Sequence, residues 1–284
     1  MILKGRCHLL CCCMLAATGA VAGGLAPKEV ETTPLPSWQV LEYEQKAFMV
    51  TAHSTLELVA DKADPQRWEL QANSSVASNF EEVTLSLAAS EGRAIERQRY
   101  SQGKDRRYKA YQFLPDYILR ERRDPPRDTE LAPAAWPLTS SKEIPYPTLP
   151  AATVVTDAYA LLELAGRFLG SGAETFQVAV NTEFNFYLVN MLRKDGPTIK
   201  VDYQQAGAAQ ASTGKRETRG VELQVTPLGE QPDKPDFNVL GLSGKVIILF
   251  DATSDLPLQL RGNAPRLGKA EINLKGVTPR ETGA

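Results

Sequence analysis

All four cysteines of the 284-residue chain fall in its first 13 positions, three of them adjacent as Cys11-Cys12-Cys13. Thiolates are nucleophiles and metal ligands, but adjacent ones cannot close a tetrahedron round zinc as spaced pairs do. Lipidation requires a small residue before the modified cysteine, and Leu10, Cys11 and Cys12 precede the three candidates. The surroundings supply a third reading. Lys4 and Arg6 make a positive head, residues 9–21 are apolar or small, and Ala20-Val21-Ala22 offers the small residues a signal peptidase reads. The apolar stretch is shorter than the ~18 residues that mark a membrane span. The expectation is a secretory signal over 1–22, cleaved after Ala22, with a lipoprotein as the alternative. Residues 23–284 then hold no cysteine, one histidine, 30 basic and 34 acidic side chains, a net charge of −4. Counting excludes cysteine nucleophiles and histidine-rich metal sites from that part of the chain. No cofactor is expected, and a mildly acidic balance argues against nucleic acid.

The remaining titratable chemistry is sparse. His53 lies in VTAHSTLEL, where a strand would turn Ser54 to the opposite face, so that serine is not the nucleophile this imidazole activates. DATSD sets Asp251, Thr253 and Asp255 at alternate positions, as at the start of a calcium loop, but lacks the following glycine and the distant glutamate. GLSGKV at 241–246 has neither the spacing nor the hydroxyl of a phosphate loop. Glycan hydrolysis needs two carboxylates at a set separation. Glu57, Glu69, Glu81, Glu82, Glu163 and Glu183 are available, and no spacing singles out a pair.

Two features point to binding instead. Residues 93–127 carry eleven Lys or Arg against five Asp or Glu, with Tyr100, Tyr108, Tyr111, Phe113 and Tyr117 interleaved. Arg97, Arg99, Arg106, Arg107, Lys109, Arg120, Arg122 and Arg123 are therefore expected to form a basic patch for an anionic envelope component, a solvated outer face being the plainer reading. Two segments, FNFYLVNML at 184–192 and VIILF at 246–250, are apolar at successive positions, as in strands covered on both sides or lining an enclosed apolar space. With Phe168, the residues Phe184, Phe186, Leu188, Val246, Ile248 and Phe250 are the expected lining for the apolar part of a ligand.

These residues need a frame. β-Branched and aromatic residues in partial alternation, separated by turn formers, predict strands over 38–44, 48–60, 68–76, 83–88, 93–100, 106–114 and 116–122. A second set is predicted over 174–181, 183–192, 198–204, 220–226, 245–251, 257–262 and 269–277. One helix is convincing, at 156–170, with Thr156 to start it, Gly170 to stop it and an apolar stripe of Ala158, Leu161, Leu162, Ala165, Phe168 and Leu169. Seven prolines among residues 125–150 bar a helix or a central strand there and predict an ordered strap, 125–153, packed on the sheet by Trp136 and Tyr146. The expected protein is mainly β: a flexible leader at 23–37, one domain over 38–277 built as an antiparallel curled sheet or partly closed barrel of about a dozen strands with the helix packed on it, and a tail at 278–284.

The order of LEYEQKAFMVTAHSTLELV, a proline-bearing loop, TDAYALLELAGRFL, FQVAVNTEFNFYLV and VIILFDATSDLPLQLRGNAPRLGKAEINLKGV resembles an exported bacterial family, domain of unknown function 3108. Asp251, Asp255, Pro257 and Gly268 sit where that family has an acidic turn, a proline and a glycine-led last strand. The Arg-rich middle and the strap depart from it. The resemblance implies a β-rich, barrel-like envelope protein and supplies no catalytic residues. The function expected on these grounds is non-enzymatic binding of a lipid-like ligand in the periplasm, by a mature chain with no transmembrane span. An envelope assembly protein with a protein partner and a carboxylate-based glycan hydrolase are the alternatives.

Overall fold

Apolar and polar residues alternate from Trp38 onward, and the chain pairs accordingly. The computed structural model describes residues 33–47, 50–230, 232–265 and 267–281. The expected signal with its cysteines lies outside the described residues, as do the leader up to residue 32 and the tail after Glu281. The first half is a run of antiparallel neighbours: β1 (Trp38–Ala47), β2 (Val50–Ala60), β3 (Arg67–Val76), β4 (Asn79–Ala88), β5 (Arg93–Gln102), β6 (Arg106–Phe113), β7 (Tyr117–Arg123) and β8 (Leu138–Pro145). After β9 (Val155–Thr156) and α1 (Leu161–Ser171) come β10 (Thr175–Asn181), β11 (Phe186–Asp195), β12 (Ile199–Gln205), β13 (Ser212–Arg216), β14 (Thr218–Leu228), β15 (Ser243–Asp251), β16 (Pro257–Ala264) and β17 (Gly268–Pro279). β1 pairs with β17 as well as β2. One continuous order results: β8-β7-β6-β5-β4-β3-β2-β1-β17-β16-β15-β14-β11-β10-β9. The β12–β13 hairpin branches from the β11–β14 connection and joins β17 by two parallel pairs.

So many strands cannot stay flat, and register shifts in the β1–β17, β4–β5, β7–β8 and β15–β16 ladders add bend and twist. The curl that results is the expected one. Its concave face carries Leu41, Leu56, Leu58, Leu70, Leu85, Val246, Ile248 and Leu260, each fully buried. β15 is covered on both faces, as its composition implied: Val246, Ile248 and Phe250 point inward, while Leu249 is buried in the same cluster as Ile199, Val201 and Tyr203 of β12.

Three strands were not legible in the sequence. β8 forms inside the strap, at the end of the sheet, where Pro137 before it and Pro145 at its close interrupt no central ladder. β9 has two residues and β13 lies in a Gly- and Thr-containing hairpin without an apolar signal. The strap is otherwise packed as expected. Trp136 is 2% exposed, edge-on to Tyr100 at 6.0 Å, and its Nε1 donates to the Leu131 carbonyl; Tyr146 packs edge-on against Phe186.

α1 closes one mouth of the curl. Asp157, not Thr156, starts it: the Asp157 carboxylate accepts the Tyr159 N–H at a 3-10 turn over Ala158–Ala160, while the Thr156 hydroxyl donates to the Gly92 carbonyl. A carboxylate at the first exposed N–H groups also matches the helix dipole. The helix passes Gly170 and ends at Gly172, whose φ of 73° is left-handed. Arg193 donates to the carbonyls of Phe168, Leu169 and Ala173, a cation on the helix C-terminus. Leu161, Leu164, Ala165 and Phe168 fill the interior. Leu164 lies so close to the β4–β5 turn that a Cβ on Gly92 would meet its Cδ2 at 2.5 Å, and Gly92 itself has φ +67°. No helix among the described residues is long and apolar enough to cross a membrane.

The plug makes a measurable claim. Phe168→Ala should lower the free energy of urea unfolding by about 3–5 kcal/mol, and Gly92→Ala by about 2 kcal/mol through strain and the Leu164 contact. Both should leave far-UV circular dichroism unchanged in the absence of denaturant.

Candidate functional site

Side-chain phase decides where the basic residues go. On β5, β6 and β7 the concave face takes Arg97 and Arg99, Lys109 and Tyr111, Arg120 and Arg122, and these sit in register across the ladders. Like charges directly opposite one another repel, so the row needs facing anions. The other end of the sheet supplies them. β10 and β11 bury Val178, Val180, Val189 and Met191 inward, while Ala179, Asn181 and Phe186 of the opposite face meet the β6–β8 end. The sheet therefore rolls up with its two ends overlapping: the concave face of β5–β8 lies on the convex face of β9–β11. Tyr111, Ile118, Ile144, Val155, Ala179 and Phe186 form the apolar part of the overlap.

Charge completes it. Arg97, 4% exposed, forms an ion pair with Asp157 and donates to the Asn181 carbonyl at 3.0 Å, the Asn181 Oδ1 at 3.2 Å and the Thr182 carbonyl at 2.5 Å, with its guanidinium 3.8 Å from the Tyr111 ring centre. Lys109 and Arg120 both donate to Glu183 Oε1 at 2.6 Å. Phe184 lies under Arg120 and Lys142, at 4.6 and 4.8 Å. Burial pushes Lys109 below the ordinary lysine range, partly offset by Glu183. Burial would raise Glu183, but the hydrogen bonds and charges of Lys109 and Arg120 hold it below the ordinary carboxylate range.

The expected single basic patch is thus divided. Arg97, Lys109 and Arg120 are consumed in the overlap. Arg99 and Arg107 point to the open mouth, Arg122 pairs with Asp124, and Arg123 bonds Glu121 and the Trp136 carbonyl. Arg106 lies 5.6 Å from the Trp136 ring on the outer face. Period-two alternation is the reason: consecutive residues of one strand cannot share a surface.

The expected apolar lining is dispersed too. Phe168, Val246, Ile248 and Phe250 are packed solid in the main core, because α1 fills the interior. Phe186 belongs to the overlap, and Leu188 is half-buried on the convex face. Phe184 is 44% exposed in the turn before β11, where Thr182 N–H bonds the Asn185 carbonyl and the expected strand has not yet begun.

A cleft of about 710 Å³ opens at the mouth opposite α1, within the size range of small-molecule sites; a larger one of about 1150 Å³ is lined by residues of β1, β12 and β15–β17. The strands turn from apolar to polar as they approach the mouth cleft. Along β2 the inward residues run Leu58, Leu56, Ser54, and along β3 Leu70, Ala72, Ser74, with the two serine hydroxyls 3.1 Å apart. Glu81 of β4 anchors the inner wall. Its Oε2 accepts Arg99 Nε at 2.8 Å and Nη2 at 2.5 Å, a side-on pairing that leaves Nη1 outside the ion pair, and its Oε1 accepts the Tyr159 hydroxyl at 3.0 Å. Burial opposes the charge on Arg99, but Glu81 outweighs it and raises the guanidinium pKa. Burial, then the Glu81 and Asp157 carboxylates, lift the Tyr159 phenol far above its ordinary range, so it stays protonated and donates. Ala52, Val76, Phe80, Leu240, Pro265 and Leu267 supply the apolar wall.

The other sequence candidates fall elsewhere. His53 is exposed on the face of β2 opposite Ser54, as alternation requires, at the edge of the cleft. Glu163 pairs with Arg167, Glu57 accepts from Gln39 and Glu69 from Gln71, so the acids serve separate partners. Asp251 accepts the Thr253 N–H and hydroxyl, and Asp255 the Ser37 N–H. Among the described residues no three His, Cys, Asp or Glu side chains gather to hold a metal. Tyr159 and Ser74 were not singled out from sequence, and Ser54 was considered only as a nucleophile beside His53. The available signal was the phase of β2 and β3, whose inward leucines give way to serines at one end. Comparison with protein-family models, curated proteins and solved structures yields no match.

The overlap can be tested by stability. Arg97→Met leaves Asp157 buried without its partner and should cost about 3–5 kcal/mol in urea unfolding. Glu183 has a lower pKa folded than unfolded, so its contribution is present above the ordinary carboxylate value near pH 4.3 and is lost as pH falls through the lowered folded value. Glu183→Gln should therefore be less stable at pH 7 and lose less stability than the parent between pH 5 and pH 3.

Proposed function

We propose that the chain is a non-enzymatic binding protein of the bacterial cell envelope, exported to the periplasm, whose ligand is an amphipathic small molecule with an anionic head. The observation that carries this reading is the layering of the mouth cleft. Its inner wall presents Ser54, Ser74 and the free side of Arg99, and its outer wall presents Val76, Leu240, Pro265 and Leu267. A head group would enter first and meet hydroxyls and a guanidinium already oriented by Glu81, while the apolar chain would lie along the outer wall. Small curled sheets hold ligands at their mouths in this way. Preorganised donors add orientation and specificity, and apolar contact adds affinity. The ligand's place is thus the open mouth rather than a sealed interior.

Native mass spectrometry of the protein isolated from its own envelope should show a co-purifying lipid-like mass. A fluorescent fatty acid should bind the delipidated protein, and Ser74→Trp, which fills the cleft, should weaken it at least tenfold with the far-UV circular dichroism and the urea midpoint preserved. Arg99→Gln should abolish the preference for a carboxylate over the alcohol of the same chain length. Absence of both the co-purifying mass and fatty-acid binding would contradict the reading.

A further inference from the structure

The rim of the cleft carries a second surface. Six large apolar residues are well exposed among the described residues, and three of them, Val50, Val76 and Leu267, stand on this one rim. Val50 opens β2, Val76 closes β3 opposite Ala52, two residues along β2 from Val50, and Leu267 lies in the β16–β17 turn. Since β3, β2, β1, β17 and β16 are consecutive neighbours, the three project from one continuous edge. Basic residues flank them. Lys46 is near the end of β1, Lys104 in the β5–β6 turn, Arg106 at the start of β6 and Lys269 at the start of β17. Lys104, Arg106 and Lys269 form no ion pair among the described residues, and Lys46, bonded to Glu44, keeps its side chain 76% exposed.

We infer that this rim docks on an anionic lipid bilayer and presents the cleft mouth to the membrane. Isolated apolar side chains set among exposed cations, three of them without an ion pair among the described residues, match the boundary between acyl chains and anionic head groups. An edge built for a protein partner would be expected to form a broader apolar core with charges depleted from its centre. Val76 and Leu267 belong both to the rim and to the outer wall of the cleft, so an apolar chain could pass between cleft and bilayer along a continuous apolar path. The inference deepens the reading of the cleft as an amphipath site and rests on it for its purpose, but the binding it describes is separately measurable.

The probes are vesicles of phosphatidylglycerol and phosphatidylethanolamine, set against vesicles of phosphatidylcholine alone, in co-flotation with the intact protein. The parent protein should float with the anionic vesicles, at least fivefold less with phosphatidylcholine, and less in 0.5 M salt, as screening of surface charge demands. Val50 and Lys269 lie outside the cleft lining, so Val50→Glu combined with Lys269→Glu should reduce flotation at least tenfold while leaving binding of the fluorescent fatty acid in solution unchanged. Leu131→Glu, at an exposed apolar site in the strap, should change neither. Equal flotation with both vesicle types, none with either, or flotation indifferent to the rim substitutions would overturn the proposal. A solution dimer that Val50→Glu dissociates would also overturn it, by giving the rim to a second copy of the chain. Loss of fatty-acid binding by the parent protein would count against the cleft reading alone.

Discussion

A sheet of fifteen successively paired strands has two edges to hide, and here they are hidden by overlap around one buried cation. Arg97 sits on the concave face of β5, and its guanidinium reaches Asp157, Asn181 and Thr182 from the opposite end of the sheet. Its charge is affordable in that position only because an aspartate, carbonyl oxygens and the Tyr111 ring surround it. No ladder joins β8 to β9 among the described strands, so side chains, not backbone, fix the diameter of the roll. Everything inside follows from that diameter. It leaves room for α1 and the main core at one mouth, and for a cleft at the other.

Asp157 links closure to plug. It pairs with Arg97 and accepts the N–H that starts the turn into α1, so the roll and the helix are set by one carboxylate. Two residues on, Tyr159 extends from the same turn to Glu81, and Glu81 orients Arg99 toward the open mouth. A short path of hydrogen bonds therefore runs from the overlap to the candidate binding wall. Apart from the Arg97 Nε, which is buried without a partner, the members of this path are hydrogen-bonded, and networks of this kind hold side chains in one arrangement, the property a preformed head-group site needs.

Much of the fold could be read from residue patterns. The fourteen expected strands are present, with ends shifted by a few residues, because alternation over half-buried strands is a direct imprint of the pleat. The strands that escaped, β8, β9 and β13, are short or proline-flanked and owe their pairing to neighbours distant in sequence. The helix was legible from its stripe, but its start was assigned to Thr156 where Asp157 holds it, since adjacent hydroxyl and carboxylate residues give the same capping signal. The site was less legible. The Arg-rich segment announced its charge but not its two faces, and the apolar runs announced burial but not whether they enclose space or fill it. That distinction depends on whether a helix occupies the interior, a tertiary fact that no local pattern encodes.

The mouth cleft, and not the sealed core, is the place proposed for an amphipathic ligand lying head-inward. A fatty acid carrying a diazirine at the end of its chain, photolysed on the folded protein and mapped by peptide mass spectrometry, tests this most directly. Labelling is expected at the outer wall, at Val76, Leu240 and Leu267. Labelling confined to the core strands around Ile248 and Phe250, or spread evenly over the surface, would contradict it.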